Sequence, residues 1–219
     1  PSFNFSDTGS TGAALQTKGG DGGDAGSGAV VPNAYFSMAV TPQIWLGLGI
    51  NAPFGLTTEY EASWMGRFQA IKSEIQTYNI NPSVAYQVSE AVSVGAGVNY
   101  QHIHGELTSA VNYSAAAFKA GGGGLLTAIG GPNVEGVTTV EGDDDAWGYN
   151  LGVLVKLNDA TRAALAYRST ISYQINGTVT FSNRPALLGG AIPDGPVTLK
   201  IKMPDSASAS VFSRLNDRW

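Results

Sequence analysis

Few side chains in this chain are placed to do chemistry. His102 and His104 are its two histidines, spaced to share one face of a strand. Two imidazoles alone do not make a metal site without a third ligand, so a position at a membrane boundary is the expectation for them. Glu141 and Asp143-Asp144-Asp145 form a carboxylate cluster of the kind that holds Ca²⁺ or bridges lipopolysaccharide through divalent ions. The cluster lacks the glycine and the ligand spacing of a defined calcium loop, so a solvated loop is expected, as for Asp21 and Asp24. Arg168, Lys200 and Lys202 fall on the polar register of their strands, where a cation inside a barrel can meet a carboxylate by a charge-assisted hydrogen bond. Pairing with lumen acids or water is the competing reading for each. No nucleophile stands with a base and an acid, and the glycine run at residues 19–28 does not open a helix after a strand, so it is not a phosphate loop. Neither a metal, a cofactor nor catalysis is expected.

The elements that carry these residues show in the composition. The chain has 219 residues, a net charge of −5 and 29 glycines. Charged residues make up 13% of it, against about 25% in an ordinary soluble domain. Its mean hydropathy is nonetheless near zero, because Ser, Thr, Asn, Gln and Gly take the place of charge. An apolar outside around a polar inside has that composition. A run of about 18 apolar residues, the minimum for a membrane-crossing helix, is absent. There are no cysteines for a disulfide framework or a thiolate metal site, and the acidic balance without a basic patch excludes nucleic acid. The chain begins at Pro1, and Asp217-Arg218-Trp219 reads as a turn into another strand. It is therefore expected to be a piece of a longer protein.

Alternating apolar and polar residues recur in stretches of roughly ten, the length of a membrane-crossing strand. In residues 79–88, Ile80, Pro82, Val84, Tyr86 and Val88 share one face; Asn79, Asn81, Ser83, Ala85 and Gln87 share the other. After a turn at Ser89-Glu90, Val92, Val94, Ala96, Val98 and Tyr100 repeat the pattern. Ile44, Leu46, Leu48 and Ile50 line one face of an earlier strand, and Ala34, Phe36, Met38 and Val40 one face of its predecessor. Later, Trp147, Tyr149, Leu151, Val153 and Val155 are followed by a turn at residues 158–161. Ala163, Leu165, Tyr167, Ile171, Tyr173 and Ile175 then alternate with Arg168, Thr170, Ser172 and Gln174. A strand end at residues 1–6 and the strand with Val197, Leu199, Ile201 and Met203 complete the series. Long loops are expected at residues 106–145 and 177–196. A soluble β-sandwich is the competing architecture. Aromatics near strand ends, long loops on one end only and a polar second face favour a transmembrane barrel. The short turns near Thr41, Ser89, Asp159 and Asp217 are then periplasmic.

Two stretches go further: VPNAYFSMAVTPQIWLGLGINAPFGLTTEY at residues 31–60 and WGYNLGVLVKLNDATRAALAYRSTISYQING at residues 147–177. Both resemble the FadL-type family of outer-membrane long-chain fatty-acid transporters, which includes aromatic-hydrocarbon channels. The resemblance runs along essentially the whole chain. It implies an all-β, antiparallel transmembrane β-barrel of fourteen strands with short helices in its extracellular loops. Residues 1–219 would form one partial barrel domain, from the end of the first strand through the eighth. An N-terminal hatch with an Asn-Pro-Ala motif and the remaining strands would lie outside it.

The resemblance also implies site residues. Asn51, Ala52, Pro53, Phe54 and Gly55 match a kinked strand that opens the barrel wall sideways. Pro cannot donate to a ladder and Gly weakens one, so a break there is also expected from residue type; the competing reading is a plain strand end. Phe118, Leu125, Leu126, Leu187 and Leu188 would line a hydrophobic capture groove between outer loops, unless they only pack those loops together. Ala115 to Ala120 favours a short helix stopped by Gly121 to Gly124. The implied function is passive transport of long-chain fatty acids or related hydrophobic compounds across the bacterial outer membrane. The implied partners are that hydrophobic ligand, outer-membrane lipid and lipopolysaccharide, with the protein a monomer. Alternatives are an aromatic-hydrocarbon channel, a barrel enzyme such as a lipase, for which no clustered nucleophile is found, and a structural or adhesion barrel.

Overall fold

The computed structural model of the protein describes residues 15–26 and 28–214. The alternating stretches become ten strands of one antiparallel sheet. They are β1 (Asn33–Ala39), β2 (Ile44–Asn51), β3 (Gly55–Glu59), β4 (Lys72–Gln87), β5 (Val92–Asn112), β6 (Glu135–Lys156), β7 (Thr161–Arg168), β8 (Ile171–Phe181), β9 (Gly195–Met203) and β10 (Ser206–Ser213). Three of them continue the line of the strand before: β3 follows β2 along β4, β8 follows β7 along β6, and β10 follows β9 along the β7–β8 line. The sheet is thus a meander of seven staves. The strand end expected at residues 1–6 and the turn expected at Asp217 lie outside the described residues.

Side chains that cap their own turns hold one end of the sheet. The Thr41 hydroxyl accepts from the Ile44 N–H (3.0 Å), Ser89 Oγ from the Val92 N–H (3.1 Å), and Asn158 Oδ1 from the Thr161 N–H (2.8 Å). These local bonds replace ladder bonds and close each turn in a few residues. The long connections gather at the opposite end. They are shorter than the alternation predicts, because β5 and β6 reach 21 and 22 residues. A membrane-crossing strand needs about 9–11, so both project well beyond a bilayer.

The sheet is curved, and the burial of its side chains identifies the concave face. Asn81 on β4 donates to Asn150 on β6 at 2.7 Å, across the intervening β5. Strands two apart lie about 9.6 Å from each other in a flat sheet, so their short side chains meet only when the sheet curls toward that face. Gly97 on β5 makes room for the contact; an added Cβ would lie 2.8 Å from Asn150 Oδ1 and 2.9 Å from Asn81 Nδ2. The convex face carries the exposed apolar set, including Phe36, Leu48, Ile80, Val84, Val98 and Leu151.

An aromatic band crosses the convex face. Tyr100 and Trp147 pack at 5.0 Å between ring centroids and Tyr149 and Tyr167 at 6.1 Å, with Tyr78 on β4 nearby. Aromatic girdles of this kind mark the water interfaces of a membrane barrel. Both faces change character at this height. Below the girdle, β4 and β5 point Tyr86, Val84, Ile80 and Val98 outward and Ser83, Asn81, Asn79 and Asn99 inward. Above it they point Glu74, Lys72, His102, His104 and Glu106 outward and Ile75, Ile103 and Leu107 inward. The outer face leaves lipid for water there, and the inner face turns apolar.

Candidate functional site

Two staves make this exchange by inserting a residue. Asn51 pairs with Asn79 and Gly55 with Gln76. Four steps on β2–β3 thus span three on β4, which is a bulge with one extra residue. Arg168 pairs with Asn150 and Asn176 with Asp143, again one residue more on β7–β8 than on β6. An odd insertion moves every later side chain to the opposite face. Ile50 therefore points outward and Leu56, opposite Ile75, inward. Leu165 and Tyr167 point outward, whereas Ile171, Tyr173 and Ile175 point inward and are buried with Ile103 and Ala146.

This register corrects part of the sequence reading. Ile171, Tyr173 and Ile175 do not share a face with Leu165 and Tyr167. Ile201 pairs with Tyr173 on the inner face, so Lys200 and Lys202, opposite Gln174 and Ser172, stand on the outer face and not in the lumen. Arg168 keeps its inward register and borders an inner space of about 530 Å³ with Trp45, Ser83 and Asn150. Two rules compete here: alternation assigns faces only within an unbroken ladder, and the insertion at Ser169-Thr170 precedes β8.

The first break has an open flank. Pairing of β1 with β2 ends at Asn33–Asn51, so the edge of β3 away from β4 has no strand beside it among the described residues. Leu56 on that edge is 61% exposed. Further up, the Glu59 N–H donates to the Ala25 carbonyl (3.2 Å), which closes the far end. Between these limits the wall has a notch. Thr77 and Asn79 of β4, both buried, stand behind it. The Thr77 hydroxyl accepts from the Phe54 N–H (2.9 Å) and donates to the Phe54 carbonyl (2.7 Å). Asn79 Nδ2 donates to Asn51 Oδ1 (3.0 Å) and to Asn99 Oδ1 (3.2 Å). Asn99 in turn donates to Asn150 Oδ1 (3.1 Å), so a band of amides runs along the inner wall from the break to β6. Above it Ile75, Ile103, Ile175, Leu199 and Ile201 line an apolar recess of about 70 Å³.

The outer loops meet over this recess. Helix α1 (Tyr113–Ala128) is capped by Asn112, which accepts from the Ala115 N–H (2.8 Å). Its first turns end at the glycines, as their type predicts: Gly121 and Gly122 leave helical geometry, Gly122 at φ +63°, and a second short helix follows across the kink through Leu125. Leu188, from the short 3-10 turn at Ala186–Leu188, is buried against Tyr113 and Ala117, with Leu125 packed beside it. Leu188 and Leu125 therefore fasten the two loops together. Leu126 is half-buried, and Phe118 and Leu187 remain exposed.

Asp143, Asp144 and Asp145 lie inside β6, not in a loop. Alternation separates them: Asp145 meets His102 at 3.0 Å and Asp143 meets His104 at 2.7 Å on the outer face, while Asp144 accepts from the Gln174 N–H (2.6 Å). Among the described residues no group of three or more such side chains is arranged to hold a metal ion. At the far ends of the strands, beyond the girdle, Lys72 lies 2.6 Å from Glu106 and next to Glu74. Those hydrogen bonds, to Glu106 first, hold the Lys72 proton more tightly than usual, and the bond from Lys72 keeps the Glu74 carboxyl below the ordinary carboxylate range.

Two features had no visible sequence signal. Thr77 is one of many polar residues on its strand. Arg67, buried, makes a bidentate contact to Glu135 (2.8 and 2.9 Å) and also donates to the Thr17 carbonyl (2.8 Å), joining three segments distant in sequence. The asparagine band was readable only as a polar face, not as a connected network.

A family model described as outer membrane protein transport protein (OMPP1/FadL/TodX) matches residues 1–219. Outer membrane protein P1 of Haemophilus influenzae is 30% identical over 87% of this chain and 44% of its own length. The long-chain fatty acid transport protein of Escherichia coli strain K12 is 27% identical over 100% of this chain and 52% of its own. The chain thus spans about half the length of the curated relatives it matches. The crystal structure of a Pseudomonas aeruginosa FadL homologue superposes with a TM-score of 0.77 at 25% identity, covering 94% of this chain and 50% of that one. The toluene transporter TbuX of Ralstonia pickettii shares the fold, with a TM-score of 0.61 at 21% identity over 85% of this chain and 51% of its own.

Proposed function

The chain belongs to the OMPP1/FadL/TodX family of outer-membrane transport proteins, and from that premise we propose that it forms the part of a barrel wall through which an apolar molecule leaves the lumen sideways. The observation that carries this reading is a coincidence of height. The break between Asn51 and Gly55 lies where the inner wall changes from isoleucines to amides. An apolar solute that enters from the outer loops finds Ile75, Ile103 and Ile201 in its path, then Asn79, Asn99 and Asn150. Advancing past the amides exchanges an apolar contact for a polar one, which is unfavourable by roughly 25 cal/mol per Å² of apolar surface. The lower end of the notch, beside Asn51, opens at girdle height, where the outer face passes from water to lipid.

Exposed Phe118 and Leu187 suit first capture at the outer end. Long-chain fatty acids are the proposed cargo. The long-chain fatty acid transport protein of Escherichia coli strain K12 matches the whole length of this chain, and Arg168 supplies a lumen cation for a carboxylate.

The test is Gly55→Trp in cells producing the full-length protein. An added Cβ at Gly55 meets nothing within 4 Å, so the barrel is expected to assemble while uptake of a labelled long-chain fatty acid falls. Unchanged uptake in the assembled variant removes the sideways route. Toluene uptake measured in the same cells separates the two cargo classes.

A further inference from the structure

We propose that Thr77 is the clasp that keeps the first break in shape, and so a positioning residue for passage through the wall. The inference rests on the sideways route proposed above and names the group that maintains it. Inside the break, Pro53 has no N–H to offer, and the extra residue puts Phe54 out of step with the β4 ladder. Both main-chain polar groups of Phe54 nevertheless end on one residue. Its N–H donates to Thr77 Oγ1 (2.9 Å), while its carbonyl accepts from Thr77 Oγ1 (2.7 Å) and from the Thr77 N–H (3.1 Å). Thr77 is 1% exposed, so water does not substitute for the hydroxyl. Asn79, two residues along on the same face, holds Asn51 at the near end of the break through Nδ2 (3.0 Å).

Without the hydroxyl, the Phe54 N–H loses its partner against a buried stretch of wall, where an unsatisfied backbone donor is costly. The ladder cannot remove the bulge by slipping one residue. That slip would turn Ile44, Leu46, Leu48 and Ile50 to the polar inner face. What changes instead is the path of residues 52–54, and with it the notch.

Three variants of the full-length protein test this: Thr77→Val, which keeps the shape and removes the hydroxyl, Thr77→Ser, which restores it, and a deletion of Ala52, which removes the extra residue. Uptake of a fluorescent long-chain fatty acid is measured in cells, its binding to purified protein in detergent, and exchange of the Phe54 amide by mass spectrometry. The expected result is that Thr77→Val lowers uptake about tenfold, the scale of one lost buried hydrogen bond, with binding unchanged, faster exchange at Phe54, and recovery in Thr77→Ser. Wild-type uptake in Thr77→Val, together with lost uptake in the deletion, overturns the clasp and leaves the route standing. Wild-type uptake in the deletion overturns the route itself, and the clasp with it. If Thr77→Val does not assemble, exchange at Phe54 in Thr77→Ser decides, and exchange as fast there as in an unprotected amide overturns the proposal.

Discussion

The two insertions do the same geometric work with opposite consequences. Each adds one residue near the aromatic girdle, and each moves the apolar set of its stave from the lipid face to the lumen face. The second, at Ser169-Thr170, has β6 on one side and the β9–β10 stave on the other. Its loose backbone groups are taken up: Ser169 donates its N–H to the Tyr149 carbonyl (2.8 Å), its Oγ accepts from the Tyr149 N–H (2.9 Å), and Asp144 accepts from the Gln174 N–H. Ile171 then packs over Gly148, where an added Cβ would lie 2.8 Å from it. Among the described residues the first insertion has a strand neighbour on one side only, and Thr77 serves its interior. The two bulges therefore differ in what flanks them, not in the geometric work they do.

The sharpest way to break that comparison is to make the same edit in both places. Deleting Ser169 leaves Ile171, Tyr173 and Ile175 inward beside Ile103, because the remaining residues match β6 one for one, and removes the two bonds to Tyr149. Both deletions are expected to assemble, read as the heat-modifiable band on gels, while uptake survives the Ser169 deletion and falls in the Ala52 deletion. Equal loss of uptake in both would show that the flank does not distinguish the two insertions. A milder contrast uses the residues that each insertion turns inward. Ile171→Ala empties a site that is 3% exposed and is expected to cost about 2–5 kcal/mol, measured by urea unfolding from lipid vesicles. Leu56→Ala, at a position 61% exposed, is expected to cost under about 0.5 kcal/mol, as surface substitutions do. Comparable losses would mean that the notch is packed.

The smallest effect concerns Lys72, opposite Glu59 at the top of the β3–β4 pair. Because Lys72 depresses the Glu74 carboxyl, its contribution is present above the ordinary carboxylate range and is lost as pH falls through the depressed value. Lys72→Met is expected to flatten that acid-side loss, by less than about 1 kcal/mol since the pair is partly solvated. Unfolding midpoints across the acid range in both proteins check it; parallel curves would exclude the contact as a fastening of the ends of β4 and β5.

Much of this was legible beforehand. Alternation in residues 79–100 placed β4 and β5 with their faces, and Pro53 with Gly55 marked the first break, because a missing donor and a missing side chain are local facts. The second break was not legible. Ser169-Thr170 carries neither proline nor glycine, and its insertion shows only when Arg168 and Asn176 are both matched to β6. That single missed residue misplaced Lys200 and Lys202. The division of the apolar loop residues into covered and open ones was not legible for a related reason. Leu125 and Leu188 are as apolar as Phe118 and Leu187, and only the docking of α1 on the 182–192 loop decides which of them is covered.

The sequence by itself determined the strands, their turns and the outward apolar face below the girdle, since each follows from residue type at a short period, and the stretches at residues 31–60 and 147–177 carried the resemblance to an outer-membrane family. The tertiary structure decided which face each stave presents above the girdle, which carboxylates pair with His102 and His104, and whether a break has a strand on both of its flanks. Those depend on register between strands and on what lies at a strand's free edge. Neither is a property of any single stretch of chain, and the break at residues 52–54 is a notch because β1 stops pairing at Asn33.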